Sequence, residues 1–143
     1  NLSEAAHQVM SLYAPHDGIR YVTEFEPGLQ ISGDRDQLTQ ILVNLVKNAE
    51  EAMAPQGGGT VTVKTFSSGG DAVLEVSDSG PGIPAALKAR LFEPYVTSKP
   101  QGTGLGLAIA LRIAQEHEGR LVADDAANAG ARFRLSLPRV SDR

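Results

Sequence analysis

The sequence contains no cysteine, which excludes disulfides and thiolate metal sites within the chain. It has no apolar run approaching the ~18 residues that span a bilayer, and no secretory signal opens it. It has no basic stripe, and its formal net charge is -4, so no nucleic-acid partner is expected. Since the chain starts at Asn1, we expect a fragment. The lack of cysteine fits a cytoplasmic location, and we expect no membrane contact by this domain. Its parent protein can carry a membrane anchor elsewhere.

The composition and the hydrophobic spacing predict one α+β domain. The chain has 143 residues, of which 41% are hydrophobic and 21% charged, which suits a single core. Helical spacing predicts helices over 3–13, 34–54 and 105–117, with Ser3 and Asp34 as N-caps and Gln37 as the capping-box partner of Asp34. Alternation predicts strands over 19–25, 29–31, 60–66, 72–76, 120–123 and 131–137. This order favours a two-layer α/β sandwich, whose mixed, mainly antiparallel sheet is covered on one face by helices.

A polar stripe runs along the second predicted helix. Asn44, Asn48 and Glu51 stand at spacing i, i+4 and i+7, so they share one side of it. An amide side chain can ligate Mg²⁺ through its oxygen and donate through its nitrogen. Asparagine is a mediocre helix former, so two in one helix interior need a reason. The alternative is an ordinary solvated face.

Two glycine-rich segments follow. The segment 78–82, Asp-Ser-Gly-Pro-Gly, comes directly after a strand, where Asp78 can accept from a base amine and the glycines permit close backbone approach. The segment 102–107, Gly-Thr-Gly-Leu-Gly-Leu, opens a helix whose free N–H groups suit an anion. A plain turn and a plain flexible loop remain the alternatives. A dinucleotide-binding fingerprint is excluded, because no strand precedes the second segment.

The order of these motifs resembles one known superfamily. The segments 44–52, 78–82, 91–95 and 102–106 are similar to the N, G1, F and G2 boxes of the GHKL ATPases, which share the Bergerat ATP-binding fold. The strings NLVKNAEEAM, LFEPYVTSK and GTGLGLAIA resemble sensor histidine kinases of the nitrogen-regulation type with a short lid. The resemblance extends from about residue 2 to residue 138.

The resemblance implies ATP (or ADP) and Mg²⁺ as ligands. Asn48 would ligate the metal with Asn44 beside it, and Asp78 would accept from the exocyclic amine of adenine and reject GTP. Residues 85–101 would form the ATP lid. The further nucleotide-binding residues that it implies are Glu51, Gly80, Gly82, Ile83, Phe92, Tyr95, Thr97, Ser98, Lys99, Gly102, Thr103, Gly104, Leu105, Gly106 and Leu107.

The sequence departs from the family pattern at several positions. Members that hydrolyse ATP carry a glutamate where this chain has Asn44, so transfer to another acceptor is favoured over hydrolysis. Many histidine kinases have a lysine at Glu51 and an arginine at Pro94. Lys99 is the natural replacement for these missing cations as a catalytic contact to the phosphates. The alternative is an exposed surface lysine. His-Glu-Gly at 117–119 replaces His-Gly-Gly, which should affect only the helix end.

The histidines His7, His16 and His117 lack the pattern of a phosphoacceptor, and we expect His117 to favour the dipole at a helix C-terminus. Residues 1–143 should therefore be a histidine kinase catalytic domain without its acceptor-histidine dimerisation domain. Its expected function is to bind ATP·Mg²⁺ and to transfer the γ-phosphoryl group to a histidine on that domain, upstream of a response regulator. A hydrolytic or chaperone-type ATPase and a non-catalytic nucleotide sensor are the alternatives.

Overall fold

The computed structural model describes residues 1–15, 18–82, 106–125 and 130–140. Within these residues the helices are α1 (Leu2–Met10), α2 (Arg35–Met53) and α3 (Gly106–Glu116), and a short 3₁₀ turn, Ala54–Gln56, follows α2. The strands are β1 (Ile19–Phe25), β2 (Gly59–Ser68), β3 (Asp71–Asp78), β4 (Arg120–Asp125) and β5 (Ala131–Pro138). None of the described helices is both long enough and apolar enough to span a bilayer.

The strands form one five-stranded sheet in the order β1-β2-β3-β5-β4. β1 and β2 are parallel, with Ile19 opposite Gly59 and Phe25 opposite Thr65, whereas the other neighbours are antiparallel. Since parallel neighbours need a crossover connection, α2 serves as the crossover between β1 and β2. The predicted mixed, mainly antiparallel sheet is confirmed.

The core lies between one face of the sheet and the helices. Successive side chains of a strand point to opposite faces, and every second residue of β2 from Val61 to Thr65 is buried. The apolar side of α2 covers this face through residues that are at most 2% exposed: Ile41, Leu42, Leu45, Val46, Ala49 and Met53. α1 and α3 flank α2, so the helical layer predicted from the sequence is confirmed.

The N-cap of α1 differs from the prediction. The side chain of Asn1, rather than that of Ser3, accepts the N–H of Glu4. Ser3 instead faces the core, where its Oγ donates to the carbonyl of Glu26 and lies 2.7 Å from Oγ1 of Thr65. By contrast, Asp34 caps α2 as predicted, since its Oδ1 accepts the N–H of Gln37 at 3.1 Å.

The predicted strand over 29–31 is wrong. The backbone there joins no strand of the sheet: an isolated bridge pairs Ile31 with Arg139, and the carbonyl of Gln30 accepts the N–H of Val140 at 2.8 Å. Leu29 is fully buried, and its carbonyl accepts the N–H of Leu2 at 2.8 Å. The segment is therefore held by the start of α1 and by the residues just after β5, and it adds no strand to the sheet.

The end of α3 also differs in detail from the prediction, which assigned its closure to Gly119. The left-handed residue is Glu118, with φ 58°, and the N–H groups of Glu118 and Gly119 bond the carbonyls of Gln115 and Ala114 in a Schellman motif. Gly119 is required for another reason, because a Cβ there would lie 2.6 Å from Cδ2 of Leu137.

Candidate nucleotide-binding site

Asp78 ends β3 and is 4% exposed. Its Oδ1 accepts two backbone N–H groups, from Gly80 at 2.9 Å and from Ala131 at 3.2 Å. A buried carboxyl group is tolerated only when such donors satisfy it. One donor belongs to the turn after β3 and the other to the first residue of β5. The carboxyl group is therefore oriented by two separate segments of the chain.

Glycines surround this carboxyl group. A Cβ at Gly130 would lie 2.5 Å from the carbonyl carbon of Asp78 and 2.9 Å from its Oδ1, so a side chain cannot fit there. A Cβ at Gly80 would lie 3.0 Å from the same Oδ1, and Gly82 has φ 85°, which L side chains rarely adopt. We call Asp78, Gly80, Gly130 and Ala131 the Asp78 corner. Its backbone approaches the carboxyl group as closely as glycine allows.

The polar stripe predicted on α2 is present as a set of half-buried side chains, namely Asn44, Asn48 and Glu51. Asn44 donates from Nδ2 to the carbonyl of Gly106, the first residue of α3, at 3.3 Å. Asn48 lies one helical turn further along α2. The stripe and the start of α3 are therefore neighbours.

A second contact joins the start of α2 to the end of α3. The N–H of Asp34, the N-cap of α2, donates to Nε2 of His117 at 3.1 Å, just after α3 ends. At ~1.5 Å per residue, Asp34 and Asn44 are about 15 Å apart along α2, and Gly106 and His117 about 16.5 Å along α3. The similar lengths indicate that α3 runs antiparallel beside α2. Asn48 consequently lies just beyond the positive, N-terminal end of α3.

The Asp78 corner is attached to the far end of α2. The position of Gly80 is so close to this helix that a Cβ there would lie 3.1 Å from Cγ of Met53. Gln56, in the 3₁₀ turn after α2, donates from Nε2 to the carbonyl of Ser79 at 3.3 Å. Moving along α2, the order is thus the start of α3, then Asn48, then the Asp78 corner.

Several predicted site residues lie outside the described residues and stay predictions. They are Ile83, the lid 85–101 with Phe92, Tyr95, Thr97, Ser98 and Lys99, and the loop residues Gly102, Thr103, Gly104 and Leu105. Gly106 and Leu107 are described and are half-buried at the start of α3.

Sequence reasoning missed Gly130 and Ala131 at this site. The signal available was a glycine directly before an alternating strand, which predicts a turn but does not reveal that the strand starts against Asp78. It also missed the bond between His117 and the start of α2. Nothing in the spacing of His117 indicates this bond, since its partner is 83 residues away.

The oxygen ligands and backbone N–H groups described above suit a nucleotide that carries a divalent metal. Among the described residues, no three or more histidine, aspartate or glutamate side chains cluster around a common point. Mg²⁺ is commonly held by few protein oxygens together with substrate phosphates and water. An amide oxygen on α2 beside a helix N-terminus meets that requirement, because the helix end favours the phosphate charge.

Residues 33–141 match the family model described as "Histidine kinase-, DNA gyrase B-, and HSP90-like ATPase", and the chain belongs to this ATPase family. It is 42% identical over 115 residues to sporulation kinase C of Bacillus subtilis, and the aligned region covers 80% of this chain and 26% of that protein. It is 41% identical over 131 residues to the sensory histidine kinase/phosphatase NtrB of Rhodobacter capsulatus, with coverages of 82% and 36%. The chain thus spans about a quarter to a third of the length of these curated relatives.

Solved structures of histidine kinases also superpose closely on this chain. The catalytic domain of histidine kinase ThkA superposes with a TM-score of 0.86 at 33% identity, covering 97% of this chain and 93% of that one. Full-length ShkA in complex with AMPPNP superposes with a TM-score of 0.84 at 29% identity, covering 99% of this chain and 30% of that one. ThkA in complex with the response regulator protein TrrA superposes with a TM-score of 0.78 at 28% identity, covering 98% of this chain and 41% of that one. The fold and the kinship with histidine kinase catalytic domains, both predicted from the sequence, are confirmed.

Proposed function

We propose that residues 1–143 form the catalytic domain of a sensor histidine kinase that binds ATP·Mg²⁺ and transfers the γ-phosphoryl group to a histidine on a separate dimerisation domain. The observation that carries the proposal is the order of three polar features along α2: the start of α3, Asn48 and the Asp78 corner. In this order they suit the phosphate, metal and base contacts that ATP requires.

Base recognition is assigned to Asp78. Its carboxyl group is oriented by the N–H groups of Gly80 and Ala131, and it can accept from the exocyclic amine of adenine. Guanine carries an oxygen at that position, which would leave two acceptors facing each other. Gly80, Gly82 and Ile83 would line the base pocket.

Phosphate and metal contacts are assigned to the start of α3 and the adjacent turn of α2. Asn48 would hold Mg²⁺ through its amide oxygen, and the bound metal would neutralise phosphate charge during transfer. The N–H groups of 102–106 and the dipole of α3 would hold the phosphates, with Glu51 and Leu107 nearby. The lid 85–101 would cover them, with Phe92 and Tyr95 as its apolar anchors.

The role of Asn44 favours transfer over hydrolysis. Its amide donates to the carbonyl of Gly106 and thereby joins α2 to α3. An amide has no appreciable basicity, so it cannot activate water as a general base. The group that accepts the proton of the target histidine would then come from the dimerisation domain. ThkA in complex with TrrA supports a response regulator as the downstream partner.

Calorimetry with ATP, ADP and GTP, with and without Mg²⁺, tests the binding step. ATP and ADP should bind more tightly with Mg²⁺, and GTP should bind at least ~100-fold more weakly than ATP. With γ-labelled ATP, the chain alone should stay unlabelled at His7, His16 and His117, and an added dimerisation domain of its parent should be labelled. Steady turnover of ATP by the chain alone would favour a hydrolase. Binding without labelling of the added domain would favour a nucleotide sensor.

The lid cation is tested with Lys99→Ala. Lys99 lies three residues before Gly102, so closure of the glycine loop on the phosphates would bring its ammonium group close to them. We expect the transfer rate to fall about tenfold or more while ADP affinity changes less than about threefold, because the contact acts on the group being transferred. Lys64→Ala, on the sheet, is the control. Equal transfer rates for wild type and Lys99→Ala would assign the neutralisation of phosphate charge to Mg²⁺ and the backbone alone.

A further inference from the structure

His117 uses both ring nitrogens. Nδ1 lies 2.8 Å from the carbonyl of Ile113, and Nε2 lies 3.1 Å from the backbone nitrogen of Asp34. The N–H of Asp34 can only donate, so Nε2 must be the acceptor and Nδ1 must carry the proton. A neutral imidazole in a single tautomer therefore joins the end of α3 to the start of α2.

The start of α2 leaves room for this ring. A Cβ on Gly33 would lie 2.7 Å from Cδ2 of His117 and 3.1 Å from its Nε2. Gly33 is not in the left-handed region, so its backbone does not by itself require glycine. The missing side chain is explained by the approach of the imidazole ring.

Few side chains of α3 are fully buried, since Leu107 and Leu111 pack against the core but stay partly exposed. On the described α3 only Ala110, Ile113 and Ala114 are buried. The bond from Asn44 to Gly106 at the opposite end is long, at 3.3 Å. A tilt of about 10° around the His117 end would displace the first residue of α3 by about 3 Å, given its length of about 16.5 Å. A displacement of that size would spoil a phosphate contact.

We propose that His117 is a positioning residue that sets the tilt of α3 on α2, and so aligns the phosphate-binding start of α3 with Asn48. The inference rests on the proposed function, since it concerns the same phosphate and metal groups. It predicts that loss of the His117 contact uncouples the metal from the phosphates, while the base contact at Asp78 is kept.

The test measures the dissociation constant of ATP with Mg²⁺ and with a chelator. The ratio of the two constants is the gain from the metal. His117→Ala should reduce this gain about fivefold, which is the value of one typical net hydrogen bond. His117→Gln should restore it, because its amide offers a donor and an acceptor in place of the two ring nitrogens. Gln115→Ala, an exposed change in the same helical turn, is the matched control.

Gly33→Ala approaches the same contact from α2. It should lower the metal gain as His117→Ala does, by displacing the ring. In the His117→Ala background, Gly33→Ala should not reduce the metal gain further, since the ring is then absent. If His117→Ala does not fold, Gly33→Ala and His117→Gln decide the question.

The possible outcomes separate the two proposals. A mere loss of folding stability weakens ATP binding by the same factor with and without the metal, and that result would overturn the positioning role. An unchanged ratio in His117→Ala and Gly33→Ala, with a clear metal gain in the wild type, would also overturn it and leave the proposed function intact. A wild-type chain that gains nothing from Mg²⁺ would reject both.

Discussion

Two corners of the molecule bury polar side chains against strand ends, and they do so differently. In the α1 corner, defined as Ser3, Glu26 and Thr65, two hydroxyl groups bond each other and one bonds a carbonyl. In the Asp78 corner, a carboxyl group is held by two backbone N–H groups, and glycines keep Cβ atoms away from it. Ser3, Thr65 and Asp78 are similarly buried, at 7%, 2% and 4% exposed. Burial of a polar group therefore does not distinguish a packing contact from the proposed recognition site. The surrounding backbone does.

The largest expected effect is that of Gly130→Ala. The added Cβ would overlap the backbone of Asp78, so β3 and β5 must separate at this point. We expect a loss of about 3 kcal/mol in the free energy of unfolding, at the upper end of overpacking effects, measured by urea denaturation. Gly70→Ala is the matched control, because nothing lies within 4 Å of its Cβ position. Equal stability of the two variants would contradict the close approach at Gly130.

Asp78→Asn changes the group to which we assign base recognition and keeps its size. We expect ATP to bind about tenfold more weakly and the preference for ATP over GTP to relax, because an amide can turn its donor toward the oxygen of guanine. Calorimetry with both nucleotides measures this change. Asp71→Asn, at the other end of β3, should leave both affinities unchanged. If the preference is unaltered in Asp78→Asn, the base is recognised elsewhere.

Thr65→Val tests the opposite corner. It removes the partner of Ser3 Oγ and leaves the bond to the carbonyl of Glu26. The free energy of unfolding should fall by about 1 kcal/mol, with no change in ATP affinity. Thermal denaturation and calorimetry on the same samples measure the two quantities. A weaker ATP affinity would show that the two corners are coupled.

Tyr21→Phe should have the smallest effect. Burial, and then the hydrogen bond to Glu50 on α2, raise the pKa of Tyr21 above its usual 10.0. The folded state thus retains a proton that the unfolded state releases, so this stabilisation is complete below about pH 10 and is lost above it. Tyr21→Phe should flatten the fall in Tm that begins above about pH 10. An unchanged alkaline profile would mean that Tyr21 does not contribute to it.

The secondary structure was largely predictable because its periods are local. The apolar spacing of α2 and the alternation in β2 and β5 need no distant partner. Ser3 was misassigned as a cap because serine suits both roles, and the choice is made by Thr65, 62 residues away. The segment 29–31 is not a strand because its alternation is short and its backbone bonds go to Leu2 of α1 and to Val140.

The candidate site was predictable where one element carries it. The stripe on α2 follows from helical spacing, and the place of Asp78 follows from the end of a strand. The contacts that orient these groups join residues far apart in sequence, such as Ala131 with Asp78 and His117 with Asp34. Spacing in the sequence cannot reveal them, because they depend on how the elements pack.

The parallel pairing of β1 and β2 has a consequence for folding. β2 and β3 form a local hairpin around Gly69 and Gly70, whereas β1 meets β2 through partners forty residues apart, such as Ile19 and Gly59. Closing the longer loop costs more chain entropy, so we expect the hairpin to form before the edge strand docks. The crossover between β1 and β2 is the helix that carries Asn44 and Asn48. Nucleotide affinity should therefore appear only after the hairpin has formed, and recovery of ATP binding would report the docking of the first strand and this helix onto it.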